Sequence, residues 1–212
     1  MKLRSRVTAA QHVYKVCSLL LCYPDEELLE AREELAAAAR GELSRFVRWW
    51  TMEDPVALQQ HYVEVFDLHK RCSLYLTFYG QGDRRDRGVA LLRLKRMYRS
   101  AGLPLEGEEL PDFLPVMLEF AASAPDRRGE IVLREHRPAL ELLRSALEDR
   151  GTPYAEVVGT VCSLFWSSQT GGPLSSTLRL SLPAEGPGCS CRHAGAGGIF
   201  TGLCFGTALR AQ

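Results

Sequence analysis

Between Ala10 and Trp166 the apolar residues return at intervals of three, four and seven, and this rhythm constrains the fold more than any other feature. It is the period of a helix with one buried face. Ala10, Val13, Tyr14, Cys17, Leu20 and Leu21 make the first such face. A second runs through PDEELLEAREELAAAA, where Pro24, Asp25, Glu26 and Glu27 form a favourable first turn and Gly41 lies past the end. LSRFVRWW follows, then a helix entered through Asp54-Pro55 with Leu58, Tyr62, Val65 and Phe66 on one side. VALLRLKRMYRSAG turns Ala90, Leu91, Leu94, Met97 and Tyr98 inward and Arg93, Arg96 and Arg99 outward, with Gly102 as its cap. ELPDFLPVMLEFAASA, PALELLRSALEDR and PYAEVVGTVCSLFW complete the series. SLYLTF has strand composition, but nothing alternates to pair with it. The expected fold is all-α, a single-domain antiparallel bundle of roughly seven to nine helices over residues 1–167. Half of the 18 glycines lie between Gly171 and Gly206, so residues 168–212 are expected to form a flexible Gly/Ala-rich tail.

Charge excludes some functions. The 26 basic residues equal the 26 acidic ones, which removes the cationic excess of a dedicated nucleic-acid binder and of a polybasic membrane anchor. MKLRSRVTAAQHVYKVCSLLLCYP begins like a secretory signal, but Gln11, His12 and Lys15 interrupt its apolar core and no small-residue cleavage site follows. No apolar run approaches the ~20 residues of a bilayer span, so a cytoplasmic protein is expected. Cys17, Cys22, Cys72 and Cys162 sit in or beside apolar helical stretches, where a thiol packs as a small hydrophobe.

Catalytic signals are weak. His12, His61, His69 and His136 are scattered, with no nucleophile at a fixed spacing and no H-E-x-x-H, so no enzyme and no cofactor is expected. Cys189, Cys191, His193 and Cys204 are soft metal donors in type, but they lack the repeated C-x-x-C of a zinc site, and no metal is expected. The loop YGQGDRRDRG has glycines, yet no Lys-Ser/Thr follows as in a phosphate loop, and the third glycine of a dinucleotide fingerprint falls late, at Gly88. A nucleotide-binding protein using Gly82–Gly88 is the alternative reading, and a nucleic-acid module using Arg93, Arg96 and Arg99 is a third. The richest candidate is ELPDFLPVMLEF. On a helix beginning near Leu110, Asp112 and Glu119 stand seven apart with Val116 between them and Glu109 one turn earlier. That reading gives a carboxylate row beside apolar surface, suited to a basic amphipathic peptide helix.

Several segments together resemble one family. Tyr62-Val-Glu-Val-Phe66-Asp67, Cys72-Ser-Leu-Tyr-Leu-Thr77, Gly82-Asp-Arg-Arg-Asp-Arg-Gly88, Glu109-Leu-Pro-Asp-Phe-Leu-Pro115 and the earlier Leu20-Leu-Cys-Tyr-Pro-Asp25 are similar to the NarJ family of nitrate reductase assembly chaperones. Glu109 and Asp112 fit the Glu-x-x-Asp signature of the wider group of molybdoenzyme chaperones, whose common His is here Phe113. The resemblance implies a cytoplasmic, non-catalytic chaperone domain over 1–167. It would bind the apo catalytic subunit of respiratory nitrate reductase at its N-terminal helix and at a second site, with molybdenum cofactor biosynthesis proteins as further partners. It would hold the subunit during molybdenum cofactor insertion, before membrane docking. Glu109, Asp112, Glu119 and Asp67 would face the peptide's positive charges. Tyr62, Phe66 and Val116 would supply apolar contact. Asp83, Arg84 and Arg87 would make the Gly82–Gly88 loop a shaped connection or a docking surface, its arginines pairing with acids of the client or of this chain. The tail after Trp166 departs from the family pattern.

Overall fold

The computed structural model describes residues 8–39, 41–80, 84–107 and 109–166. Ten α-helices account for most of them: α1 (Ala9–Leu20), α2 (Glu26–Glu30), α3 (Arg32–Ala38), α4 (Ser44–Met52), α5 (Pro55–Tyr62), α6 (Arg84–Ser100), α7 (Leu114–Ser123), α8 (Arg128–Glu135), α9 (Arg137–Asp149) and α10 (Tyr154–Trp166). The all-α expectation holds, with one helix more than the upper count. PDEELLEAREELAAAA is two helices broken at Ala31, and Arg32 turns in to donate to the carbonyls of Trp50 (2.6 Å) and Glu53 (2.9 Å) at the end of α4.

The three polar residues that interrupt the N-terminal apolar run all have work in α1. Gln11 closes a reciprocal capping box with Thr8. His12 Nε2 lies 3.0 Å from the Ala38 carbonyl, and Lys15 Nζ reaches Glu119 at 2.8 Å. α1 and α7 run in opposite directions, since Gln11 bonds the Ala124 carbonyl, Lys15 bonds Glu119 and Ser18 bonds the Pro115 carbonyl.

α7 is the hub. Every residue from 111 to 121 is buried, because α1 packs on one side and α8 on another. α8 comes so close that a Cβ added at Gly129 would lie 2.2 Å from the Ala121 Cα. On the far side Phe46, Trp49, His61, Tyr62, Phe66 and Tyr154 form one aromatic cluster, with neighbouring ring centroids 4.8–6.0 Å apart. Burying such rings is among the larger favourable terms available to a fold of this size. No described helix is long and apolar enough to cross a membrane.

Two local features shape the surface near α7. α5, capped by Asp54 through the Val56 and Ala57 amides, runs on into a π-helical turn over Val63–Asp67, closed by Leu68 N–H to the Val63 carbonyl at 3.1 Å. The widened turn buries Val65 and Phe66 and leaves Asp67 and Leu68 outside. α6 ends where Gly102, at φ 76°, lets Leu103 N–H bond back to the Tyr98 carbonyl at 3.0 Å.

Candidate functional site

The family-like segments converge on one point. Leu114 N–H donates to the Leu74 carbonyl (2.8 Å) and Leu76 N–H to the Asp112 carbonyl (3.0 Å), so the SLYLT run and ELPDF pair as a single antiparallel bridge, Tyr75 to Phe113. Beneath the bridge, the Asp112 carboxylate accepts from the Thr77 amide at 3.3 Å and from the Thr77 hydroxyl. Arg87 Nη2 stands 3.6 Å from the same oxygen, while Arg87 Nε donates to Thr77 Oγ1 at 3.2 Å. Tyr98 Oη closes the back of the turn on the Pro111 carbonyl at 2.6 Å. One buried carboxylate thus fastens the SLYLT segment, the first turns of α6 and the entry to α7.

This corrects the expected carboxylate row. Asp112 is 0% exposed and Glu119 is 5% exposed, paired to Lys15 at 2.8 Å. Val116, Tyr62 and Phe66 are buried as well, so none of the three offers contact area to a partner. The physical reason lies in the prolines. The residue before a proline avoids the helical region, and a proline lacks the N–H that a helix interior needs. Pro111 therefore keeps Glu109–Phe113 in a turn, and α7 starts only at Leu114 with Pro115 in its first turn. Asp112 lies ahead of the helix and not on its face.

The expected Gly82–Gly88 loop is also shorter than supposed. α6 begins at Arg84, so Gly88 is an exposed helical residue with open space around it. Arg87 is turned inward to Asp112. Gly82 and Asp83 lie outside the described residues, as do the side chain of Arg84 and the tail with Cys189, Cys191, His193 and Cys204. Among the described residues no group of three His, Cys, Asp or Glu could hold a metal ion.

Two acidic residues of the expected set do reach the surface, and both act on the Tyr75 and Tyr62 phenols. Asp67 is exposed at the end of the π-helical turn, and Glu109 is half-buried. Glu109 Oε1 accepts from Tyr75 Oη at 3.1 Å and from the Leu110 amide at 2.9 Å. Burial first, then the Glu109 and Asp67 charges among its neighbours, hold the Tyr75 phenol well above its ordinary range. Tyr62 is raised by burial and by the same two carboxylates among its neighbours, and Tyr23 by burial and then Asp67. These phenols therefore stay protonated as donors: Tyr62 Oη bonds the Leu21 carbonyl at 3.0 Å, and its ring meets Tyr23 edge-on at 5.5 Å. Tyr23 and Tyr75 are half-buried, and Leu68 is exposed. Both carboxylates thus act on the phenols of this region, and Leu68, next to Asp67 in the chain, is a bare aliphatic side chain. Tyr23, Leu68 and Tyr75 are not among the expected site residues, although Tyr23 and Tyr75 stand inside the segments that carry the family resemblance.

This arrangement of helices is a known one. A crystal structure of a putative redox enzyme maturation protein from Archaeoglobus fulgidus superposes with a TM-score of 0.58 at 24% identity, covering 78% of this chain and 98% of that one. The family profile described as Nitrate reductase delta subunit matches residues 26–158. The probable nitrate reductase molybdenum cofactor assembly chaperone NarJ of Bacillus subtilis is 37% identical over 160 residues, covering 71% of this chain and 86% of that protein. The nitrate reductase-like protein NarX of Mycobacterium tuberculosis is 38% identical over 166 residues, and the match spans 26% of its length. The chain belongs to the nitrate reductase delta subunit family, in its NarJ branch.

Proposed function

We propose that this protein is a cytoplasmic, non-catalytic assembly chaperone of a respiratory nitrate reductase. It binds the apo catalytic subunit, receives that subunit's N-terminal helix on the surface rimmed by Asp67 and Glu109, and holds the subunit while molybdenum cofactor is inserted and before membrane docking. A second contact with the subunit and an encounter with cofactor biosynthesis proteins belong to the same reading. Relatives from Bacillus subtilis and Escherichia coli are named as chaperones of this kind. The observation that carries the peptide site is the exposed Asp67, followed in the chain by exposed Leu68, together with the half-buried Glu109 that accepts from Tyr75 Oη at 3.1 Å. Carboxylates attract the peptide's cations, the ring faces add cation–π attraction, and Leu68 meets its apolar side.

An exposed ion pair contributes about 0.2–1 kcal/mol and a shielded charge-assisted bond ~1.5–3 kcal/mol. Loss of both carboxylates, one exposed and one half-buried, should therefore cost about 1.7–4 kcal/mol and weaken binding by about 20- to 800-fold. The test is calorimetry with a peptide copying the catalytic subunit's N-terminus. Micromolar affinity that falls with rising salt is expected, together with that loss in Asp67→Asn/Glu109→Gln. Absence of heat at high peptide concentration, or a double variant that binds as the parent does, refutes the site.

A further inference from the structure

α6, the longest helix among those described, keeps one side exposed. Arg85, Val89, Leu92, Arg96 and Arg99 follow one another at spacings of four, three, four and three, so they form a straight row of about 20 Å. All five are exposed, Val89 by 64% and Leu92 by 57%. Lys95 is exposed alongside, and no described carboxylate pairs with Lys95, Arg96 or Arg99. α8 widens this face. It runs opposite to α6, tied by Arg93 to Glu135 at 2.9 Å and by Arg128 to the Ser100 carbonyl at 3.0 Å. Between those ties stands Ile131, 50% exposed. Three bare aliphatic side chains on two antiparallel helices are thus bordered by cations.

We propose that this α6–α8 face docks an acidic amphipathic helix of a partner protein. The partner's aliphatic residues, repeating every three or four positions, would cover Val89, Leu92 and Ile131, and its carboxylates would pair with Lys95, Arg96 and Arg99. The row keeps the spacing that lets one helix lie along another, which selects a helix over an anionic bilayer or a nucleic acid. The face is opposite in charge to the Asp67/Glu109 surface, so it would reject a cationic client segment. The inference therefore stands apart from the peptide reading.

The test titrates the full chain into a fluorescein-labelled synthetic helix of three Leu/Ile heptads flanked by Glu. A scrambled peptide of the same composition and vesicles of anionic phosphatidylglycerol are run in parallel. Saturable binding at about tens of micromolar is expected, in keeping with a small transient interface. Arg96→Glu/Arg99→Glu should weaken it by about tenfold or more, and Leu92→Gln by about threefold or more, with unchanged melting temperatures and unchanged binding of the cationic peptide. Failure to saturate, equal binding of the scrambled peptide, or indifference to both variants overturns the proposal. Co-sedimentation with vesicles without helix binding overturns it in favour of a lipid surface.

Discussion

Replacing Asp112 should act by loosening the fold and not by removing a contact with a bound peptide. In Asp112→Ala the Thr77 amide and hydroxyl lose their buried acceptor, and Arg87 loses its only ion pair among the described residues. Removing one partner of a buried charged pair costs about 3–5 kcal/mol, because the groups left behind are desolvated and unsatisfied. For a chain of this length each kcal/mol lowers the melting temperature by about 2–4 °C, so the loss should be about 6–20 °C. Urea unfolding followed by helical circular dichroism would report the change as a lower midpoint at unchanged slope. Arg87→Gln alone should also destabilise, since it leaves Asp112 buried without a counter-charge. Combined with Asp112→Asn, the two losses should fall short of their sum by about 1–3 kcal/mol, the coupling expected of residues sharing one network. Additive losses would refute the lock. So would an Asp112→Asn chain that keeps full stability yet no longer binds the client peptide, the signature of direct contact.

Two further outcomes rest on the packing. Gly129→Ala should lower the melting temperature despite gaining up to ~1 kcal/mol of helix propensity, because the new methyl meets the Ala121 backbone and overpacking costs about 1–3 kcal/mol. His61 is held below its ordinary pKa by burial, with its Nε2 2.8 Å from Thr152 Oγ1 and its ring stacked on Tyr154. The unfolded chain then takes up the proton first, near pH ~6.5, so this part of the stability is complete above that value and is lost as pH falls through it. The urea midpoint should drop between about pH 7.5 and about pH 5.5, and His61→Gln should flatten that drop.

The helices were legible because burial on one face repeats every turn. Tyr14, Cys17, Leu20, Leu94, Tyr98, Phe113, Met117 and Phe120 all stand in the core where periodicity put them. The acids were not legible. Asp112 and Glu119 looked like a polar face because their partners, Thr77 and Lys15, lie 35 and 104 residues away. A charge that is buried with its counter-charge is indistinguishable from a solvated one until the chain is folded. Pro111 and Pro115 carried the signal that α7 begins late, and they outweigh the helical spacing of the carboxylates. The π-helical turn at Val63–Asp67 left no compositional trace, yet it decides that Asp67 faces out while Phe66 faces in.

The bridge between Tyr75 and Phe113 has a consequence for synthesis. Tyr75 is set in place only when Leu114 has bonded to Leu74, and α1 gains its ion pair only when Glu119 has been made. A nascent chain still shorter than this therefore lacks both the bridge that sets Tyr75 and the Lys15–Glu119 ion pair, and the surface proposed to receive the peptide is completed only after the middle helix has been made.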